Sequence, residues 1–320
     1  MKKTGSLLLV GLIMMSLLPA VVVAFPGKEI NFLVGFAPGG STDTTIRLIA
    51  TSSSKLLGQP VVVMNKPGAG GPLALSTLAT SKPDGYTLGN FNISAPIGNV
   101  IRSTDPFHVL KNFTLICNLT SFPNILVVPA NSPFQKLAQL VQEAKKKPGD
   151  LTCGTAGVGT SGHFGFEIFK NVAKIDITHV PHKGSSPAVV ALLGSHIDCG
   201  VINSVDVVQH IKAGKLRALS VTSPQRMVEL PDVPSIAEAG YADAVMISWI
   251  GCAAPASTPG SIVSNLADTF QKDLNEKKNQ EKLKEIGFTP NFMPPQSFSV
   301  FVEKEYDRYK KIAATAGIKE

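Results

Sequence analysis

The chain has 320 residues, 44% hydrophobic and 17% charged, with a formal net charge of +7. That length is enough for two α/β units, each with its own core. Aromatics make up only 7% and do not interleave with the basic residues, which are scattered or lie on helix faces such as Lys145-Lys146-Lys147; this excludes a nucleic-acid footprint.

Lys2 and Lys3 open the chain, an apolar run follows from Leu7 to Val23, and Val22-Val23-Ala24 closes it with small residues. This is the layout of a secretory signal peptide over residues 1–24. Pro19 interrupts the run, which is short for a membrane span, and no Cys follows the cleavage site, which argues against a lipoprotein. No second span is present in the sequence, so the mature chain is expected to be soluble and periplasmic.

From there, apolar runs and helical periodicities alternate. Ile30–Phe36 predicts a strand, a Gly/Pro loop follows, and Thr44–Leu57 predicts a helix stopped by Gly58. Val61–Met64 is the next strand, Pro72–Ser81 a helix and Tyr86–Phe91 a third strand, so the start reads as parallel βαβ units. Ser132 is expected to cap a helix with Pro133 at its first position, whose apolar face is Leu137, Leu140, Val141 and Ala144. Strands are expected at Leu151–Thr155, Ile177–Val180, Ile197–Ile202 and Leu216–Thr222. Helices at His163–Val172, Pro187–Leu193 and Val205–Ala213 separate them. The tail from Ser261 reads as mostly helical, with one charged segment at Gln271–Ile286. Asn118–Val128 and Trp249–Ala254 could pair as crossover strands, giving one lobe of 25–128 plus 249–320 and a second of 129–248.

Three strand-to-helix loops could carry a ligand, because open α/β sheets bind at the carboxyl ends of their strands. The first is Ala37-Pro38-Gly39-Gly40-Ser41-Thr42-Asp43. Its glycines allow close backbone approach, the helix N-terminus favours an anion, and Ser41 or Thr42 is expected to cap that helix. Asp43 cannot attract a carboxylate; its expected work is to order the loop, or to accept from an ammonium or hydroxyl. The second runs from Gly154 to Gly162 and contains Gly157, Gly159 and Gly162 in dinucleotide-like spacing. Asp176 precedes its strand, where the fingerprint acid should end one, so no nucleotide cofactor is expected. The third is Val180-Pro181-His182-Lys183-Gly184-Ser185-Ser186-Pro187. Ser94 and Asn203-Ser204 are lesser candidates.

Catalysis is poorly supported. Gly159-Thr160-Ser161-Gly162-His163 is not a nucleophile elbow, and no acid is placed to complete a Ser161–His163 triad. His179 and His182 lack a third metal ligand. Cys117, Cys153, Cys199 and Cys252 show no C-x-x-C spacing. Export permits disulfides, while the apolar runs around each Cys suit buried thiols.

The colinear set of motifs resembles the Bug-type receptors of tripartite tricarboxylate transporters. It comprises Phe36-Ala37-Pro38-Gly39-Gly40-Ser41-Thr42-Asp43, Leu57-Gly58-Gln59-Pro60-Val61-Val62-Val63, Asn65-Lys66-Pro67-Gly68-Ala69-Gly70-Gly71, Lys82-Pro83-Asp84-Gly85-Tyr86-Thr87-Leu88, the glycine-rich loop 154–162, and His179-Val180-Pro181-His182-Lys183-Gly184. Gly214-Lys215-Leu216-Arg217-Ala218-Leu219, Leu230-Pro231-Asp232-Val233-Pro234-Ser235, Glu238-Ala239-Gly240 and Thr258-Pro259 complete it. The resemblance implies a type II periplasmic-binding-protein fold, two α/β lobes around a ligand cleft joined by crossover strands. It implies capture of a small carboxylate, such as a di- or tricarboxylate or an aromatic acid, and delivery to membrane permease subunits. In such receptors the first strand–helix loop and facing loops of the second lobe hold the carboxylate, partly through ordered waters. That carries over to Gly39, Gly40, Ser41, Thr42, Asp43, Thr160, Ser161 and His163, and suggests His182 to Ser185. The expected ligand-binding set is completed by Phe36, Ala37, Ser94, Ala156, Gly157, Lys183, Gly184 and Asn203. Two departures fall on the expected specificity wall: His182 stands where the family usually has Tyr, and Asn203 where it often has Asp. No catalytic residue, metal or cofactor is expected, and the receptor should be a monomer. The alternatives are a sensing receptor for a signalling partner and a secreted α/β hydrolase.

Overall fold

The computed structural model describes residues 25–68, 71–102, 105–316 and 318. The expected signal segment 1–24, and Ala69-Gly70 of the Asn65–Gly71 motif, lie outside them.

Strands β1 (Ile30–Val34), β2 (Val61–Asn65) and β3 (Thr87–Asn92) alternate with helices α1 (Ser41–Leu57) and α2 (Pro72–Ala79), and β1 pairs in parallel with both neighbours. Apolar residues fill β1 apart from Asn31 because both its faces are covered. Ile30, Phe32 and Val34 pack with Ile46 and Ile49 of α1, while Leu33 joins the opposite cluster with Leu78 and Phe91. Helix α1 stops at Gly58, whose φ of 67° is the left-handed conformation that a C-terminal glycine supplies without strain.

Helix α3 (Ser94–Ile101) then leads to β4 (Phe113–Pro129), a strand of 17 residues that links two groups of strands. Its first part pairs antiparallel with β9 (Ile247–Pro255), from Phe113↔Pro255 to Pro123↔Ile247, and β9 in turn pairs with β3. Its second part pairs with β7 (Cys199–Asn203) and β8 (Leu216–Val221). Beyond β7 lie β5 (Thr152–Thr155) and β6 (Thr178–Pro181), all three parallel. Helices α4 (Leu137–Lys146), α5 (Ser161–Ala173), α6 (Ser185–Leu193) and α7 (Ser204–Lys212) cover this second group. The tail contributes α8 (Gly260–Asn275), α9 (Lys277–Glu285), β10 (Thr289–Met293) and α10 (Pro295–Ala316). The result is two α/β lobes that share β4 and β9.

Several expectations are corrected. Helix α4 begins at Leu137 rather than Pro133, and Ser132 does not cap it. The Arg217 guanidinium donates to the carbonyls of Ala130, Ser132 and Phe134, which holds that stretch outside the helix. Ser41 and Thr42 do not cap α1; they are its first two residues, and Gly40 is the extended N-cap with no side-chain bond. The charged segment 271–286 is helical on both sides of a break: Glu276 is extended, and Asn279 turns back to donate to Asp273 across it. Helix α3 and strand β10 were absent from the sequence reading. In α3, Pro96 sits in the first turn, where its missing N–H costs nothing. In β10, Pro290 is tolerated on an outer strand that pairs only with β4. All four cysteines are free and buried. Cys117 and Cys252 face each other across β4 and β9 with 3.7 Å between sulfurs.

Candidate functional site

The β1–α1 loop is held from behind. Asp43 Oδ2 accepts from the Gly39 N–H and Arg47 Nε, both at 2.9 Å, and Oδ1 accepts from Asn65 Nδ2 at 2.8 Å. Burial alone would raise the Asp43 pKa, but hydrogen bonds from Arg47, Gly39 and Asn65 outweigh it and keep the carboxyl below its ordinary value. Both carboxylate oxygens of Asp43 thus accept from the loop, α1 and β2 behind it. The first backbone N–H taken up within α1 is that of Thr44, bonded to the Gly40 carbonyl. Of the earlier N–H groups, that of Gly39 goes to Asp43 and that of Ser41 faces the Asp206 carboxyl, and the remaining ones of the turn are available to an anion. A Cβ on Gly35 would meet Gly71 Cα at 2.8 Å, so the loop's close packing on the start of α2 requires glycine.

The β5–α5 loop is also self-ordered. Thr160 is the N-cap of α5; its hydroxyl donates to the Gly157 carbonyl at 2.7 Å and accepts from the His163 N–H at 3.3 Å. His163 Nδ1 accepts from the Gly159 N–H at 3.2 Å, and its ring stacks on His179 with centroids 4.4 Å apart. Burial first, then the Lys170 and Arg102 charges, push the His163 pKa down to about 4, so the ring is neutral and fit to accept. A Cβ on Gly162 would lie 2.4 Å from the Val201 carbonyl, so the start of α5 rests directly on β7.

The β6–α6 loop brings Gly184, with φ of 127°, to the N-cap of α6 without a side-chain cap. A Cβ there would sit 3.5 Å from Ala37 Cβ, which measures how closely this loop faces the first. Asn203 Nδ2 reaches across and donates to Ser41 Oγ at 2.6 Å.

These loops border one small cavity of about 30 Å³. Its polar wall is built from Gly40, Ser41 and Thr42, Asn92 and Ser94, Thr160 and Ser161, Gly184 and Ser185, Asn203 and Ser248. Its apolar wall is Phe36, Ala37, Ile93, Phe122, Ala156, Trp249 and Ile250. Among the described residues, none that lines it is Asp, Glu, Lys, Arg or His. Ser248 donates to Ser161 at 2.7 Å, and Ser161 donates to Asn124 Oδ1 at 3.4 Å. An uncharged cavity ringed by hydroxyls and two uncapped helix N-termini, those of α1 and α6, can hold an anion through neutral donors.

Of the residues expected at the site, Phe36, Ala37, Gly40, Ser41, Thr42, Ser94, Ala156, Thr160, Ser161, Gly184, Ser185 and Asn203 line this cavity. Gly39, Asp43, Gly157 and His163 stand behind it and shape its loops. His182 lies outside the lining, with its Nδ1 3.0 Å from the Val180 carbonyl, and Lys183 is exposed. The sequence reading missed Asn92, Ile93, Phe122, Ser248, Trp249 and Ile250. Phe122, Ser248, Trp249 and Ile250 belong to the shared strands β4 and β9, which carry no loop motif. Ser161 and His163 do not form a nucleophile–base pair: the Ser161 hydroxyl bonds to Asn124 and Ser248, and His163 Nε2 points to Glu167 at 3.9 Å.

Residues 45–318 match the family model described as "Tripartite tricarboxylate transporter family receptor". Protein BugT of Bordetella pertussis is 33% identical over 303 residues, covering 94% of this chain and 93% of its own length. A Rhodopseudomonas palustris protein solved with adipate superposes with a TM-score of 0.89 at 33% identity, over 92% of this chain and 99% of that one. MatC from the same organism, solved with bound malate, gives 0.86 at 29% identity over 90% and 99% of the two chains.

Proposed function

We propose, since the chain belongs to the tripartite tricarboxylate transporter receptor family, that this solute-binding receptor captures a small carboxylate in the periplasm and hands it to the family's membrane permease. Residues 1–24 act as the signal peptide that exports it. Residues 25–128 with 249–320 form one lobe and 129–248 the other.

The observation that carries this reading is the meeting of the uncapped N-termini of α1 and α6 over an uncharged, hydroxyl-lined cavity. Backbone N–H groups and Ser and Thr hydroxyls supply fixed dipoles that stabilise negative charge without a counter-ion. The relatives solved with adipate and malate bind ligands of this kind. Ligand enters with the lobes apart and meets the β1–α1 loop. Closure then brings up the β5–α5 and β6–α6 loops, and desolvation strengthens each hydrogen bond. The apolar wall of Phe36, Phe122, Ile93 and Ile250 receives the carbon chain or ring. No step makes or breaks a covalent bond, in keeping with a family of receptors rather than enzymes.

Calorimetry on ligand-stripped protein tests this against dicarboxylates, aromatic acids and amino acids. Saturable one-to-one binding of a carboxylate is expected. No heat from any of them would overturn the reading.

A further inference from the structure

The third residue of α7, Asp206, was not among the candidate site residues, yet it lies where the two lobes meet. Behind the cavity, a groove is lined by Gly39, Ser41 and Thr44 from one lobe and by Ser186, Asp206 and His210 from the other. Asn203, three residues before Asp206, makes the hydrogen bond to Ser41 that crosses between lobes and also donates to Ser185 Oγ at 3.4 Å. An acid in the first turn of a helix commonly serves its own helix dipole. Here the groups turned toward the carboxyl come mainly from other elements: the Ser185 hydroxyl of α6, the Ser41 hydroxyl and N–H of α1, and the Asn203 amide. Its Oδ2 is buried and takes no hydrogen bond.

We propose that Asp206 is a positioning residue for the clamp: its carboxyl group seats the first turn of α1 against α6 when the lobes close, and closure weakens as that group ionises. This rests on the carboxylate-clamp reading above. Burial pushes the Asp206 pKa up to about 6 from 3.8, against the lowering by Ser185, Ser41 and Asn203. With the lobes apart, α1 withdraws, water returns and the pKa falls back toward its ordinary value. The closed form therefore binds the proton more tightly than the open one. The preference for closure is fully present below the open-state pKa and is lost as pH rises through about 6.

The other titratable groups on the surrounding elements are Asp43, Arg47 and Lys55 of α1, His182 and Lys183 ahead of α6, His210 and Lys212 of α7, Arg217 of β8, and Lys282, Lys284 and Glu285 at the end of α9. Asp43 and Arg47 pair with each other, and Arg217 is spent on backbone carbonyls. His210 shares the groove with Asp206 and is the one group there whose charge could mimic the effect.

The test measures adipate and malate affinity between pH 5 and pH 8 for the native sequence, Asp206→Asn, Asp206→Ser and His210→Gln. Ligand titration is common to all four and cancels when each is divided by Asp206→Asn. The native ratio should fall about tenfold from pH 5 to pH 8, following proton linkage. His210→Gln should keep that fall, and Asp206→Ser should lose it even if its overall affinity is lower. Small-angle scattering without ligand should show a more compact native protein at pH 5 than at pH 8, with Asp206→Asn insensitive to pH. A native ratio that stays flat, or a fall abolished by His210→Gln, overturns the proposal. If neither acid binds at any pH, the scattering decides it alone, and only the choice of ligand class fails.

Discussion

Asn203 Nδ2 donates to Ser41 Oγ at 2.6 Å, a hydrogen bond that joins the end of β7 to the first turn of α1 across 162 residues of chain. It places a neutral amide where a carboxylate would oppose an anionic ligand. Asn203→Ala should weaken carboxylate binding by about tenfold, the worth of one buried hydrogen bond. Asn203→Asp should weaken it further, because the new charge lies in the cavity wall. Calorimetry on both variants, with thermal melts to show that they remain folded, checks this.

Ser161 and Ser248 share one short hydrogen bond on the far side of the cavity, at 2.7 Å. Ser161→Ala should cost about tenfold in affinity by leaving Asn124 Oδ1 and the Ser248 hydroxyl in the cavity wall without their partner. The same variant should leave any background hydrolysis of ester substrates unchanged. A turnover lost with Ser161 would support the hydrolase alternative.

The stacked rings of His163 and His179 both have pKa values pushed down to about 4, in each case mainly by burial. A lowered basic pKa means the unfolded chain binds more protons, so stability should fall as pH drops from about 6.5 toward 4. Melting temperature should decline over that window. The double variant His163→Gln/His179→Gln should show a flatter decline, although it is less stable at neutral pH because Gly159 and Thr155 lose their ring partners.

Asp273 has the opposite sign. Burial against α1 raises its pKa to about 6, and its Oδ2 has no hydrogen bond. A raised acid pKa gives stability that is present at low pH and lost as pH rises through about 6. Asp273→Asn keeps an acceptor for Asn279 and should stabilise the fold at pH 8 by about 3 kcal/mol, and by about half as much at pH 5, since the loss begins above 3.8. Chemical denaturation at the two pH values measures the difference.

The strand-to-helix loops were legible because glycine, proline and hydroxyl residues cluster between an apolar run and a helical one. Ser41, Thr160 and Gly184 fall in the cavity wall for that reason. Loop residues that face the cavity could not be told from those that brace it: Asp43 and His163 carry polar groups as inviting as Ser41, and only their partners Arg47, Asn65 and Gly159 reveal them as supports. The residues from the shared strands were invisible for a different cause. Phe122, Ser248 and Trp249 become neighbours of the ligand space because β4 and β9 cross beneath both lobes, a tertiary fact with no local pattern. Helix boundaries failed where a distant group intervened, as Arg217 does at 130–134. His182 looked like a specificity residue from the family pattern, yet its ring turns to its own strand at Val180.

The central claim is that helix N-termini and hydroxyls hold the negative charge of a ligand carboxylate. The most direct measurement compares, by calorimetry on stripped receptor, the best-binding acid of the panel with its primary amide, which keeps the shape and loses the charge. The amide should bind on the order of 100-fold more weakly, since charge-assisted hydrogen bonds are worth about 1.5–3 kcal/mol each. Equal affinity for acid and amide would contradict the account.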